Sequence, residues 1–399
     1  MNEAMLSGSG DAQEWEEVAA WRRHLHERPE LQYDTHETAA FVAARLAEFG
    51  CDSVETGIGR TGVVAVVEGR RGTGRTVALR ADMDALPIEE ETGLAHASRH
   101  PGRMHACGHD GHMAMLLGAA RRLARARDFA GRIAFVFQPA EEGGAGAKAM
   151  LDDGLVPRFG IEEFYGMHNM PGLEVGGFAT CPGPIMASTD EFSVTIRGRG
   201  GHAAIPQLAI DPVLTGAALV QAMQQIVSRS ADPLDALVVS VTKFHAGSAH
   251  NVIPETAELG GTVRTLEEAT RRLAERRIRE IAAGVAAAYG AEACVIYNRN
   301  YPVTRNDAAK ARFCAGVAER VAGEAGVDPN VRPLMGGEDF SYMLEARPGA
   351  FVFLGNGASA SLHHPRYDFN DAAIPYGIAY WQALAAEALG VDSAPLRVA

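Results

Sequence analysis

Long apolar runs are missing from this chain. None approaches the roughly 18 residues that a bilayer-spanning helix needs, so no membrane span is expected. Residues 1–13 hold neither a basic nor an apolar stretch. They lack the makings of a secretory signal and read as a frayed tail. Cysteine is scarce, with five residues at 51, 107, 181, 294 and 314. An odd, scattered set argues against a disulfide framework and for a reducing cytoplasm. Positive charge is in deficit, 37 Lys and Arg against 50 Asp and Glu, for a net charge of −13. With no basic cluster to offset it, nucleic acid and anionic membranes are poor partners. The Arg-Arg pairs at 22–23, 70–71, 121–122 and 271–272 sit among acids or in helical stretches. Internal repeats are absent as well. The glycine-bearing patches at 198–201 and 336–337 lack the spacing of a nucleotide loop.

At 399 residues the chain exceeds the size at which single cores stop growing, so two domains are expected. Its densest chemistry is Met104-His105-Ala106-Cys107-Gly108-His109-Asp110-Gly111-His112, which holds three of the fourteen histidines. A thiolate and an imidazole two residues apart, in a glycine-loosened loop, can close on a borderline-soft cation. Other readings stay open from these residues alone. Cys107 could be a buried thiol, the histidines could be satisfied core residues, or Cys107 could be a nucleophile paired with His109.

The surrounding pattern is α/β. Helices are expected at 14–28 and from a capping-box-like start at Asp34 and Glu37 to Gly50. Strands are expected at 63–67, 76–80, 133–138 and 163–167, with helices at 111–127 and 145–153. The strands end in Asp82-Met83-Asp84, Glu141-Glu142 and His168-Asn169, and the strand at 349–354 is followed by His363-His364. Open α/β sheets place their ligand crevice at such strand ends. Adjacent carboxylates before a glycine turn suit a division of labour, one binding a cation while the other holds a water as general base. From 187 to 300 the pattern changes to β-α-β-β-α-β: strands at 191–197, 237–244, 258–264 and 293–300, helices at 210–228 and 267–289. That order is the split, ferredoxin-like arrangement, inserted into the first domain. Helices at 307–326 and 372–389 then resume the α/β pattern. The expected division is 1–186 with 301–399, and 187–300.

With these motifs assembled, the sequence resembles the M20 metallopeptidase family in its amidohydrolase subgroup, over nearly the whole chain. The residues that carry the resemblance lie at 80–87, 104–112, 138–144, 168–169, 200–206, 251–254, 335–340 and 362–370. It implies a zinc-peptidase-like α/β catalytic domain with a mixed central sheet, plus the inserted domain as a lid and dimerisation element. It implies metal ligands at Cys107, His109, Glu142, His168 and His363, and hence two divalent ions, manganese or zinc, with nickel or cobalt as further options. Glu141 would be the general base. Asp84 and Asp110 would stand behind the ligands and fix their geometry. His202 would stabilise the oxyanion, often across a dimer, while Asn251, Arg264, Gly336 and Gly337 would bind substrate. Two positions depart from the subgroup: Gln207 follows Pro206 where a histidine is usual, and His364 stands where a small polar residue is commoner.

The activity implied is hydrolysis of N-acyl-amino acids, hippurate-like or N-acetyl, by a cytoplasmic homodimer or homotetramer joined through the lid. Alternatives are an M20 dipeptidase or carboxypeptidase, a metal-free cysteine hydrolase, and a non-catalytic binding protein stabilised by metal. The cysteine mechanism leaves Glu141, Glu142 and His168 idle.

Overall fold

The structure is a computed structural model that describes residues 9–391. The expected frayed tail therefore lies outside the described residues up to position 8. Residues from Ser9 onward belong to the first helix, Ser9–His26. The chain divides into two compact units. One comprises Met1–Ile185, Arg305–Arg332 and Asp339–Ala399, the other Met186–Thr304 and Pro333–Glu338.

The first unit is built on an eight-stranded mixed sheet. In spatial order its strands are Ser53–Ile58, Gly62–Glu68, Arg132–Gln138, Thr76–Asp82, Ile161–Pro171, Gly349–Gly357, Phe178–Ala179 and Val327–Asp328. The four strands from Arg132–Gln138 to Gly349–Gly357 run parallel. The Ser53–Ile58 and Gly62–Glu68 hairpin closes one edge antiparallel. Thr76–Asp82 is buried along its whole length, as befits a strand covered on both faces. The His109–Ala126 helix is buried on nearly every side, packed against Ser9–His26 and Ile374–Ala388. Parallel strands put their C-terminal ends on one edge, and the chain leaves that edge through the segments holding Asp84, Glu141, Glu142 and His168.

Several local expectations shift. The Asp34–Glu37 capping box does not form. The helix runs His36–Glu48, and the Glu30 carboxylate from the preceding loop accepts the N–H groups of Glu37 (3.2 Å) and Thr38 (2.8 Å). The helix expected from 111 starts at His109, so His109 and Asp110 form its first turn. The strand expected to end at 167 continues to Pro171, so His168 and Asn169 lie within it. The Ser53–Ile58 strand, half exposed and polar, carries too little alternation to be recognised in advance.

The second unit follows the order β-α-β-β-α-β. Its strands are Ser188–Arg197, Leu237–Ala246, Thr256–Thr265 and Glu292–Arg299, with helices Pro212–Met223 and Glu268–Ala288. They form a four-stranded antiparallel sheet in which Thr256–Thr265 and Ser188–Arg197 are central. The Ser188–Arg197 strand alternates: Phe192, Val194 and Ile196 enter the core, while Glu191, Ser193 and Arg197 face outward. A buried ion pair staples it to the helix, where Arg271 Nε donates to Asp190 (2.9 Å) and Tyr297 adds its hydroxyl (2.7 Å). Residues 333–338, assigned by sequence to the first domain, pack with the second unit. Ala187 N–H donates to the carbonyls of Leu334 (3.0 Å) and Gly336 (2.9 Å). Among the described residues, no helix is long and apolar enough to cross a membrane.

Gly349 shows how tightly the central strands pack, since a Cβ built there would lie 1.8 Å from the Phe164 carbonyl oxygen. Backbone, not a flexible side chain, would have to move. Gly349→Ala is expected to lower the unfolding free energy by about 1–3 kcal/mol, the usual cost of overpacking. Urea denaturation of both proteins checks this, and an unchanged midpoint contradicts it.

Candidate active site

Asp84 organises the site from just beyond the Thr76–Asp82 strand. Its buried carboxylate accepts the backbone N–H groups of Glu141 (2.9 Å) and Glu142 (3.1 Å). Its backbone carbonyl accepts Nδ1–H of His109 (2.7 Å). One residue therefore ties the Glu141-Glu142 turn to the head of the His109–Ala126 helix. The backbone there is bent sharply. Gly108, at φ 84°, leaves no room for a side chain, because a Cβ would lie 2.3 Å from Asn169 Nδ2. Ala140, at φ 53°, and His363, at φ 65°, occupy the left-handed region without being glycine. Such strain persists where surrounding contacts overdetermine the backbone. Here Ala140 N–H donates to Gln32 O (3.2 Å) and His363 N–H to Ala106 O (2.8 Å).

The histidine orientations follow from their fixed nitrogens. Because His109 gives Nδ1–H to Asp84, its Nε2 is left facing the cluster, buried and without a hydrogen-bond partner. His168 gives Nδ1–H to the Asn169 carbonyl (2.7 Å), which presents Nε2 to Cys107 Sγ at 3.3 Å. His363 Nε2 stands 3.2 Å from Glu142 Oε1. His364 lies outside, its Nδ1 accepting Arg366 N–H (3.0 Å). Glu141 Oε1 accepts the N–H of Asp339 (3.3 Å). Three overlapping groups each keep their donor atoms within 4.8 Å of one another: Cys107, His109 and His168; Cys107, Glu142 and His363; His109, Glu141 and Glu142. Soft thiolate, imidazole and carboxylate together make a donor set for a divalent transition metal.

The electrostatics point the same way. Burial alone would depress His109, but Asp82, Asp84 and Glu142 outweigh it and lift its pKa to about 10. Burial, reinforced by the charges of Glu142, Glu141 and Asp82, pushes the Cys107 thiol well above its ordinary value. Burial and the neighbouring His112 hold His168 neutral. A pocket whose carboxylates force a proton onto one imidazole is a pocket that favours a cation. The donors thus fit a metal centre.

Not every expected residue joins this cluster. Asp110, expected to orient it, turns the other way. It accepts His26 Nδ1–H (2.8 Å) and lies 3.5 Å from Arg22, both on the first helix. In the second unit, Gly201–His202 pairs with Val252–Ile253, bringing exposed His202 beside Asn251. Half-buried Arg264 pairs with Thr189 in the sheet register. Gly337 packs against that same Thr189, where a Cβ would meet Cγ2 at 2.0 Å. Arg264, Gly336 and Gly337 thus gather near the start of the Ser188–Arg197 strand. Thr256 lies eight positions along its strand from Arg264, about 26 Å, and His202 and Asn251 lie in or beside a separate two-stranded pairing a few residues beyond that far end.

Other residues had no role in the sequence reading. Asp82 accepts His112 Nδ1–H (2.6 Å) and an Arg80 N–H (2.8 Å). Arg80 and Gln138 also donate to Asp339 (3.1 and 2.8 Å). All five of these residues fell in motifs already singled out, at 80–87, 104–112, 138–144 and 335–340, which marks the neighbourhood but not the partners.

A family model described as peptidase family M20/M25/M40 matches residues 78–387. The chain is 43% identical over 364 residues to a hippurate hydrolase of Campylobacter jejuni, covering 91% of this chain and 94% of that one. It is 42% identical over 354 residues to an N-acetyl-L-cysteine deacetylase of Bacillus subtilis, covering 88% and 83%. A solved Bacillus subtilis structure, described as a dinuclear metal binding peptidase from the M20 family, superposes with a TM-score of 0.84. That match has 35% identity and covers 95% of this chain and 99% of that one.

The outward-turned Asp110 carries a pH signature. Burial would depress His26, yet the Asp110 carboxylate, with help from Glu90, raises its pKa to about 9. A histidine whose folded pKa exceeds its unfolded value stabilises fully below about 6.5, and that contribution disappears as pH rises through 9. In metal-free protein, wild type is expected to exceed His26→Gln by a margin whose pH-dependent part is about 3 kcal/mol at pH 6. Urea unfolding at pH 6 and pH 10 should show that part vanish, whereas a pH-independent margin contradicts the assignment.

Proposed function

The chain belongs to peptidase family M20/M25/M40, and from that premise we propose that it is a metal-dependent amidohydrolase of N-acyl-amino acids. The reaction is N-acyl-amino acid plus water to a carboxylic acid and a free amino acid. Hippurate-like aromatic acyl groups are the first choice and acetyl the second, in keeping with the relatives' names. The observation that carries the proposal is the Glu141-Glu142 pair. Both backbones are clamped by Asp84, Glu142 is turned to His363, and Glu141 is held by the Asp339 N–H within 4.8 Å of His109 and Glu142.

In this reading two divalent ions occupy the cluster. Cys107, His109 and His168 would hold one ion, and Cys107, Glu142 and His363 would hold the other. Manganese or zinc is the first choice, nickel or cobalt the second. When bound, the ions supply Lewis acidity, lowering the pKa of water towards about 7 and polarising the scissile carbonyl. Glu141 takes a proton from the attacking water and delivers it to the leaving amine nitrogen. His202 donates to the developing oxyanion, a contribution of about 3 kcal/mol for a single good donor. Arg264 and Asn251 hold the substrate carboxylate, and Gly336 and Gly337 let it approach the backbone. His202 and Asn251 sit beyond the far end of the strand that holds Arg264. We therefore assign them to different copies in each site, making the second unit the dimerisation element of a homodimer or homotetramer. Five unpaired cysteines accord with a cytoplasmic enzyme.

A thiol-nucleophile mechanism fares worse. It needs a depressed thiol pKa and a basic partner, whereas Cys107 is raised and His168, its neighbour, is lowered.

Glu141→Gln keeps an oxygen for the Asp339 N–H but cannot take a proton. It is expected to bind metal as wild type does while kcat on N-benzoylglycine or an N-acetyl-amino acid falls about 10²- to 10⁴-fold. Near-wild-type turnover with full metal content rules out the assigned base.

A further inference from the structure

We infer that Asn169, which ligates nothing, is the positioning residue that aims Cys107 and His168 at their shared cation. This rests on the reading of those two side chains as metal ligands. Asn169 is fully buried in the Ile161–Pro171 strand. Each of its four polar groups engages a part of the site. Its backbone N–H donates to His112 Nε2 (2.9 Å), and its carbonyl accepts Nδ1–H of His168 (2.7 Å). Its amide Nδ2 donates to the Cys107 carbonyl (2.7 Å), and its Oδ1 accepts the Tyr367 hydroxyl (2.7 Å).

Satisfying a buried amide would require only some set of partners. These partners are the carbonyl of one ligand, the ring of another, a histidine on the helix that begins with a third, and a tyrosine four residues beyond the fourth. The bond to the Cys107 carbonyl sets the peptide plane from which the thiol projects. The bond from His168 fixes its tautomer, so that Nε2 is the nitrogen facing the thiol. His112 can serve as acceptor because Asp82 takes its Nδ1–H, leaving Nε2 with a lone pair. Gly108 completes the fit, since any Cβ there would lie 2.4 Å from the Tyr367 hydroxyl as well as against the Asn169 amide. No isosteric residue meets all four demands. Aspartate would set a carboxylate oxygen against the Cys107 carbonyl, and leucine would strip partners from Cys107 and Tyr367.

The test is titration of metal-free protein with cobalt(II), reading affinity, stoichiometry and the near-ultraviolet thiolate-to-cobalt charge-transfer band. Cys107→Ser defines the band. Asn169→Ala and Asn169→Asp are expected to bind 10- to 100-fold more weakly, the usual effect of removing a residue that orients ligands, with a weakened or displaced band. Tyr367→Phe, which deletes one hydroxyl, is expected to weaken binding less. Combined with Asn169→Ala it should add little, because both changes act through one amide. A merely structural role would lower the melting temperature of metal-free protein and leave band and affinity intact at saturation. A wild-type protein without a Cys107-dependent band overturns the ligand assignment and this inference with it. A wild-type band together with unaltered affinity and spectrum in the Asn169 variants overturns the inference alone. If Asn169→Ala does not fold, Tyr367→Phe decides: weaker cobalt binding supports the role, and unchanged binding refutes it.

Discussion

A single buried carboxylate holds the rest in register. Asp84 sits away from water, where an unpaired negative charge would cost several kcal/mol, and burial pushes its pKa up. Two backbone N–H groups, from Glu141 and Glu142, offset that cost. The same two bonds set the turn that displays the adjacent carboxylates in different directions. Because the Asp84 carbonyl also fixes His109, the start of the His109–Ala126 helix and the acidic turn cannot drift independently. The loops after two parallel strands and the start of one helix are thereby tied together, which is what metal-assisted hydrolysis demands of its protein.

Asp82, Asp84, Glu141 and Glu142 crowd one corner, where His109, Arg80 and, at Glu142, His363 answer them with positive charge. These carboxylates lift the His109 pKa against burial, and they add to the burial that raises the Cys107 thiol. A divalent cation held there would offset these acids, and Cys107 and His109 would have to give up their protons to hold it.

Much of this was legible in the sequence. Ligand-type residues recurring at strand ends pointed to the edge where Asp84, Glu141, Glu142 and His168 gather, and the β-α-β-β-α-β order described the second unit. What escaped was set by long-range partners. Asp110 lies inside the ligand motif, yet its geometry is decided by His26 and Arg22, more than eighty positions earlier. The Asp34–Glu37 box obeyed local rules but lost to Glu30, which reaches the helix start first. Residues 333–338 read as part of the returning α/β pattern, whereas two carbonyl acceptors for Ala187 tie them to the second unit. Asn169, polar and next to a ligand, gave no local sign that all four of its groups would be used. The sequence placed His363 rather than His364 among the expected ligands, but the left-handed backbone at His363 is foretold by no propensity.

The central claim is that Cys107 joins two adjacent cation positions, one completed by His109 and His168, the other by Glu142 and His363. Anomalous diffraction at the absorption edge of zinc or manganese, from crystals grown with that metal, tests it most directly. The account predicts two peaks per chain, both within bonding distance of the Cys107 sulfur, about 2.3 Å for zinc. A single peak, or peaks beyond reach of that sulfur, would contradict it.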